Sequence, residues 1–214
     1  MPCLAPSEFL TTDASSLIGA AAETLIEADY LTDVKRAGFF PAGTIDFADF
    51  SHGFGTTVLY IAYLTTNNPK LTGKELFALS VGGDLKIPDI MTHDTARRLE
   101  FYEIKPNSSS GRSAGRSKIR SIAAAIASTG LPYVPGIQYT PNKKRRFFSG
   151  LVLGFHLDVF FHFEFIAPGL IVYEFCFEGE VQNVPLVILL GILAGIVVVT
   201  FLPFVAGEGA LVLA

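Results

Sequence analysis

Between Phe155 and Glu178 the chain alternates with a period of two, and this restricts its fold more than any other feature. The odd positions are Phe155, Leu157, Val159, Phe161, Phe163 and Phe165; the even ones are His156, Asp158, Phe160, His162 and Glu164. Ala167-Pro168-Gly169 makes a turn, and the return run sets Ile171, Tyr173, Phe175 and Phe177 against Val172, Glu174, Cys176 and Glu178. Period-two alternation around a Gly/Pro turn predicts a hairpin with one strongly apolar face. A lone two-stranded ribbon is marginal in water, so that face needs a cover. His156, Asp158, His162 and Glu164 are metal-capable types, but neighbours two apart on a strand lie about 6.6 Å apart by strand rise. A solvated strand face is their expected role.

Charge is segregated along the 214 residues. Residues 1–104 hold 7 Lys/Arg and 14 Asp/Glu, whereas Lys105 to Arg146 carry nine bases and no acid. From Phe147 onward there are six acids and no Lys or Arg. The net charge of −4 argues against a wholly basic nucleic-acid coat, and an apolar half of the composition excludes a disordered chain. The length suits one domain with an appendage. We expect a division into 1–146 and 147–214, the second part holding the apolar hairpin and a hydrophobic segment.

Ser15 to Tyr30 predicts a helix with Leu17, Ile18, Ala21, Leu25 and Ala28 on one side; Glu23 and Glu27 fall on the opposite face, where they could approach a metal site but are expected to be solvated. Phe39 to Phe54 predicts a loop, Val58 to Leu64 a strand or short helix, and residues 67–73 a turn. A strand-like run ends at Leu85-Lys86-Ile87-Pro88-Asp89-Ile90, with His93 in the loop beyond, and a second run spans Leu99 to Lys105. After the Ser/Gly segment 106–115, Arg116 to Thr129 predicts a helix ended by Gly130 and Pro132. Tyr133 to Tyr139 predicts a strand, and Pro141 to Arg146 a basic turn. Cys3 and Cys176 make no metal motif and no disulfide framework, and Cys176 is expected as a small buried hydrophobe. The first residues lack a basic region followed by an apolar stretch, so no Sec-type signal is expected.

The chemistry concentrates at Asp89, Glu103 and Lys105. An acid at the end of one strand and an acid-x-Lys on the next bring two carboxylates and one ammonium together. Two carboxylates suit a hard divalent ion such as Mg²⁺, which stabilises phosphodiester charge and lowers the pKa of bound water. The lysine would position that water or the phosphate. The alternative is an ordinary hairpin whose Glu103 and Lys105 pair on a solvated face. Arg112, Arg116, Lys118 and Arg120, with Lys143 to Arg146, would meet phosphates, or serve as a solubilising or membrane-surface patch.

Over about residues 75–140, Pro88-Asp89, Glu103-Ile104-Lys105 and the following basic helix resemble the PD-(D/E)XK nuclease superfamily. The resemblance implies an α/β, restriction-endonuclease-like core of helix, mixed sheet and helix, with the C-terminal hairpin and hydrophobic extension appended. It implies Asp89 and Glu103 as metal ligands, the Ile104 carbonyl as a further ligand, and Lys105 as the residue assisting the water. Mg²⁺, or Mn²⁺, is the implied cofactor. Where the VRR-NUC branch usually has Gln in that helix, this chain offers Arg, Ser and Lys. The segment 102–107 with the two Gly-Arg pairs after it is similar to bacterial polymorphic-toxin and effector nucleases. That implies DNA as substrate, with RNA also open, and a cognate immunity protein. Such an effector would leave its cell by a specialised secretion system and act in the target-cell cytoplasm.

Val184 to Ala206 holds 23 residues without a charge and contains Gly191-x-x-x-Gly195. That length suffices to cross a bilayer. A membrane-inserting or membrane-anchored protein is therefore the alternative function; packed against the Phe-rich ribbon, the same segment would be core.

Overall fold

The computed structural model describes residues 3–6, 12–36, 45–46, 54–73, 75, 79, 86–94, 98–152, 154–179 and 191. In chain order these form β1 (Cys3–Leu4), α1 (Thr12–Arg36), β2 (Ile45–Asp46), α2 (Phe54–Asn67), β3 (Ile90–Asp94), β4 (Arg98–Pro106), α3 (Ser109–Ser128), β5 (Val134–Pro135), β6 (Asn142–Val152), β7 (Phe155–Ala167) and β8 (Leu170–Gly179). The fold is mixed α/β around a mixed sheet. Its strands run β2-β3-β4-β8-β7-β6, with β1 on β8 and β5 on β4.

β4 is the hinge of this topology. One edge pairs antiparallel with β3, Ile90 opposite Tyr102. The other edge pairs parallel with β5 at Glu100 and Phe101, then with β8 from Glu103 to Pro106. The expected hairpin is therefore present as β7 and β8, turned by Gly169 at φ 73°. It is not a separate ribbon: β8 shares the sheet with the strand that carries Glu103, and the expected 146/147 boundary falls inside β6.

Alternation along β4 sends its side chains into two cores. Tyr102 and Ile104 join Ile18, Ala22, Ile26 and Tyr30 of α1 and the aromatic faces of β7 and β8. Phe101 joins Tyr60, Tyr63 and Leu64 of α2, Ile119, Ile122 and Ile126 of α3, and Leu170 and Val172. The sheet is thus covered by α1 on one face and by α2 and α3 on the other. The Phe-rich face finds its cover in α1.

Several local expectations change. The buried face of α1 follows Ile18, Ala22, Ile26 and Tyr30, Ala28 is exposed, and Glu27 is buried. Residues 58–64 are helical, as part of α2. β3 begins after Asp89 instead of ending there, which puts His93 on a strand, its Nδ1 2.8 Å from the Tyr133 hydroxyl. α3 starts seven residues earlier than expected, because Ser108 caps it by accepting from the Gly111 amide at 3.0 Å. The strand expected over 133–139 shrinks to β5.

Lys143 to Arg146 lie on β6, not in a turn, and ion pairs account for all four. Lys143 reaches Asp29 at 2.6 Å, Arg145 also pairs with Asp29, Lys144 pairs with Glu178 at 2.5 Å, and Arg146 lies 3.8 Å from Asp158. Cys176 is not a free thiol: it is disulfide-bonded to Cys3. Of the loop expected over 39–54, only β2 and Phe54 are described, and 184–206 lies outside the described residues save Gly191. Among the described residues no helix is long and apolar enough to cross a membrane.

Candidate metal centre

The candidate centre arises where β3 leaves β4. The last backbone bond of that ladder runs from the Asp89 amide to the Tyr102 carbonyl at 3.0 Å. Two residues further along β4, the Asp89 side chain takes over as partner: its Oδ2 accepts from the Ile104 amide at 2.6 Å. This fixes the carboxylate beside Glu103 and Lys105, which project together from β4 as alternation requires.

Four charged side chains meet here. Lys105 Nζ contacts Glu103 Oε1, lies 3.7 Å from Asp89 Oδ2 and donates to the Ile104 carbonyl at 2.9 Å. Lys118, from α3, lies 2.8 Å from Glu103 Oε1 and 3.3 Å from Asp89 Oδ1. The Glu103 side chain is 0% exposed, Asp89 13%, and both lysines 23%, so the cluster opens to solvent past the lysines. Both ammonium groups sit against Oε1; the buried Oε2 has no hydrogen-bond partner among the described residues.

The approach of α3 depends on two glycines. A Cβ at Gly111 would lie 2.3 Å from the Pro106 carbonyl oxygen, and one at Gly115 would lie 2.6 Å from Leu170 Cδ1 and 3.2 Å from Lys105 Cγ. The Gly-Arg pairs thus let the helix sit on the end of β4, which brings Lys118 within reach of both carboxylates.

Electrostatics separate the acids. Burial, then the neighbouring Asp89, pushes Glu103 up to about 7 against the pull of the lysines. Burial also raises Asp89, but Lys105, Lys118 and the Ile104 amide outweigh it and hold this carboxyl below its ordinary value. Burial opposes the charge of both lysines, yet Asp89 and Glu103 raise them above the usual lysine range. Glu23 of α1 responds to the same groups: burial first, then Asp89, lifts it to about 8. This corrects the expectation of a solvated Glu23.

The structure therefore brings Asp89, Glu103, Ile104 and Lys105 together. It moves Lys118 from the expected phosphate-contacting set into the cluster. Arg112 donates to the Asn107 side chain at 2.7 Å, while Arg116 and Arg120 are exposed on α3. The sequence offered Glu23 as an acid able to approach a metal but favoured a solvated face for it, because the apolar stripe assigned to α1 was rotated from the true one. The one signal available was Asp29, Glu23 and Glu27 crowding a helix otherwise rich in Ala, Leu and Ile.

These residues fit a hard divalent cation. Two carboxylates, Asp89 and Glu103, share the same two lysines, one buried Glu103 oxygen lacks a hydrogen-bond partner among the described residues, and oxygen donors are what such ions take. The Ile104 carbonyl is engaged by Lys105, which would have to swing aside for that oxygen to serve as a ligand. Comparison with known protein families, with curated proteins and with solved structures finds no match to this chain.

Proposed function

We propose that this chain is a Mg²⁺-dependent endonuclease with a restriction-endonuclease-like core of the PD-(D/E)XK type. It hydrolyses DNA phosphodiester bonds as an antibacterial toxin domain, restrained in its producer by an immunity protein. The observation that carries the reading is the convergence of Asp89, Glu103 and Lys105 where β3 parts from β4, with Lys118 completing the cluster. Asp89 and Glu103 are the residues to hold the ion, with Glu23 close enough to sense the same charge. Bound there, Mg²⁺ would supply charge for the phosphate oxygens and acidify a water.

The chain's own groups do the rest. Lys105 orients the attacking water and Lys118 balances charge on the scissile phosphate. Arg116 and Arg120 present exposed guanidinium groups for the flanking backbone, contacts that are strong, salt-sensitive and largely blind to sequence.

The test is cleavage of plasmid DNA and of RNA side by side, with Mg²⁺ and with EDTA. Nicking of plasmid with Mg²⁺ alone is the expected outcome. Cleavage that continues in EDTA overturns the metal-dependent reading, and cleavage of RNA only overturns the substrate.

A further inference from the structure

Away from the charged cluster, β1 lies against β8 just beyond the point where β4 ends. Pro106 is opposite Tyr173, and the next β8 residues pair instead with Leu4 and Cys3. Cys3 and Cys176 are register partners, and Glu174 shares a strand face with Cys176 two residues away. Both sulfurs and a Glu174 carboxylate oxygen lie within 4.8 Å of one another. The carboxylate is held from two sides: His162 Nδ1 donates to Oε1 at 3.0 Å, and the Asn107 amide donates to Oε2 at 2.9 Å. Cys176 is buried, whereas Cys3 is exposed and leaves an approach from solvent.

We propose that Cys3, Cys176 and Glu174 form a second metal site, specific for Zn²⁺, that exists only when the disulfide is reduced. A dithiol reductant gives two electrons and two protons to the Sγ–Sγ bond, leaving two thiols here and a disulfide in the reductant. On metal binding both thiols release their protons to solvent, and two thiolates with one carboxylate hold the ion, water taking the fourth position. Thiolates select Zn²⁺ over Mg²⁺, so this site and the carboxylate centre draw on different metals. His162 and Asn107 are positioning residues that fix the carboxylate, a role whose loss typically weakens metal affinity by about 10–100-fold.

Co²⁺ is the probe, because sulfur-to-cobalt charge-transfer absorption arises only from thiolate ligation and is silent at Asp89 and Glu103. The full chain, reduced and freed of reductant under anaerobic conditions, is titrated with Co²⁺ and then with Zn²⁺. The expected result is a charge-transfer band in the reduced chain that Zn²⁺ abolishes. It is absent from the oxidised chain and from Cys3→Ser and Cys176→Ser, and Glu174→Gln and His162→Ala weaken it by about tenfold or more. No band while a thiol reagent counts both cysteines free overturns the proposal. So does a band that survives Cys176→Ser, or one indifferent to Glu174→Gln.

Discussion

Glu103 has its side chain 0% exposed, with two ammonium groups against one oxygen and none on the other. Removing either lysine leaves more uncompensated charge in a buried site, so the cluster acts as a unit. The glycines beneath it are equally constrained. Gly111→Ala would gain about 1 kcal/mol of helix propensity but drives a methyl into the Pro106 carbonyl. Overpacking of that kind costs typically 1–3 kcal/mol. Gly111→Ala is therefore expected to lower the melting temperature, while Ser113→Ala on the exposed side of the same helix leaves it unchanged or raises it. Calorimetry of the two variants decides. Asp89, Glu103 and Lys105 were legible in the sequence because strand alternation and the Pro-Asp signal fix them locally. Glu23 and Lys118 were not, since their roles depend on the rotation of two helices against a sheet.

At the scale of elements, β6 and α3 divide the basic segment between two tasks. The β6 cations serve the fold: Asp29, with its side chain fully buried, receives Lys143, Arg145 and the Tyr139 hydroxyl, the last at 2.8 Å. Asp29→Ala leaves Arg145 without this carboxylate, Lys143 with Asp33 at 3.5 Å, and the buried Tyr139 hydroxyl without its acceptor, and is expected to cost about 1–3 kcal/mol. Lys144→Ala, at an exposed pair with Glu178, costs under about 1 kcal/mol; chemical denaturation measures both. On the proposed reading, the exposed Arg116 and Arg120 of α3 meet the phosphate backbone. Replacing both Arg116 and Arg120 with Ala is expected to lower the slope of log binding constant against log salt by roughly two. An unchanged slope places the backbone contacts elsewhere. The hairpin of β7 and β8 was readable because period-two alternation is a local signal. The pairing of β8 with β4 was not, because a parallel contact between residues some 67 positions apart, Glu103 and Leu170, leaves no mark in local periodicity. The turn expected at Lys143 to Arg146 failed for a related reason: a charge run looks like a solvated loop until a buried aspartate on another element claims it.

For the molecule as a whole, the metal-free fold should be sensitive to pH. Glu23 and Glu103 sit above the ordinary glutamate value, at about 8 and about 7, so the native state holds more protons than the unfolded chain from about pH 4.5 to 8. Stability therefore falls as pH rises through that window. Asp89 acts in the opposite sense and only at lower pH: its lowered pKa gives stability that is lost as pH falls through the native value. Thermal melts in EDTA are expected to shift to lower temperature as pH rises from 5 to 8. Mg²⁺, binding the ionised carboxylates, should recover most of that loss at pH 8 and little at pH 5. A melt flat across this range contradicts the raised titration of the half-buried Glu23 and the buried Glu103. The central claim is that the acids and lysine at the parting of β3 and β4 cut a phosphodiester. Its most direct test is the initial rate of Mg²⁺-dependent nicking of supercoiled plasmid by the wild type, Glu103→Ala and Lys105→Ala, each with its circular dichroism checked. The account predicts a loss of at least about 100-fold in both folded variants, the scale of a lost positioned acid or base. Folded variants nicking within twofold of the wild type would contradict it.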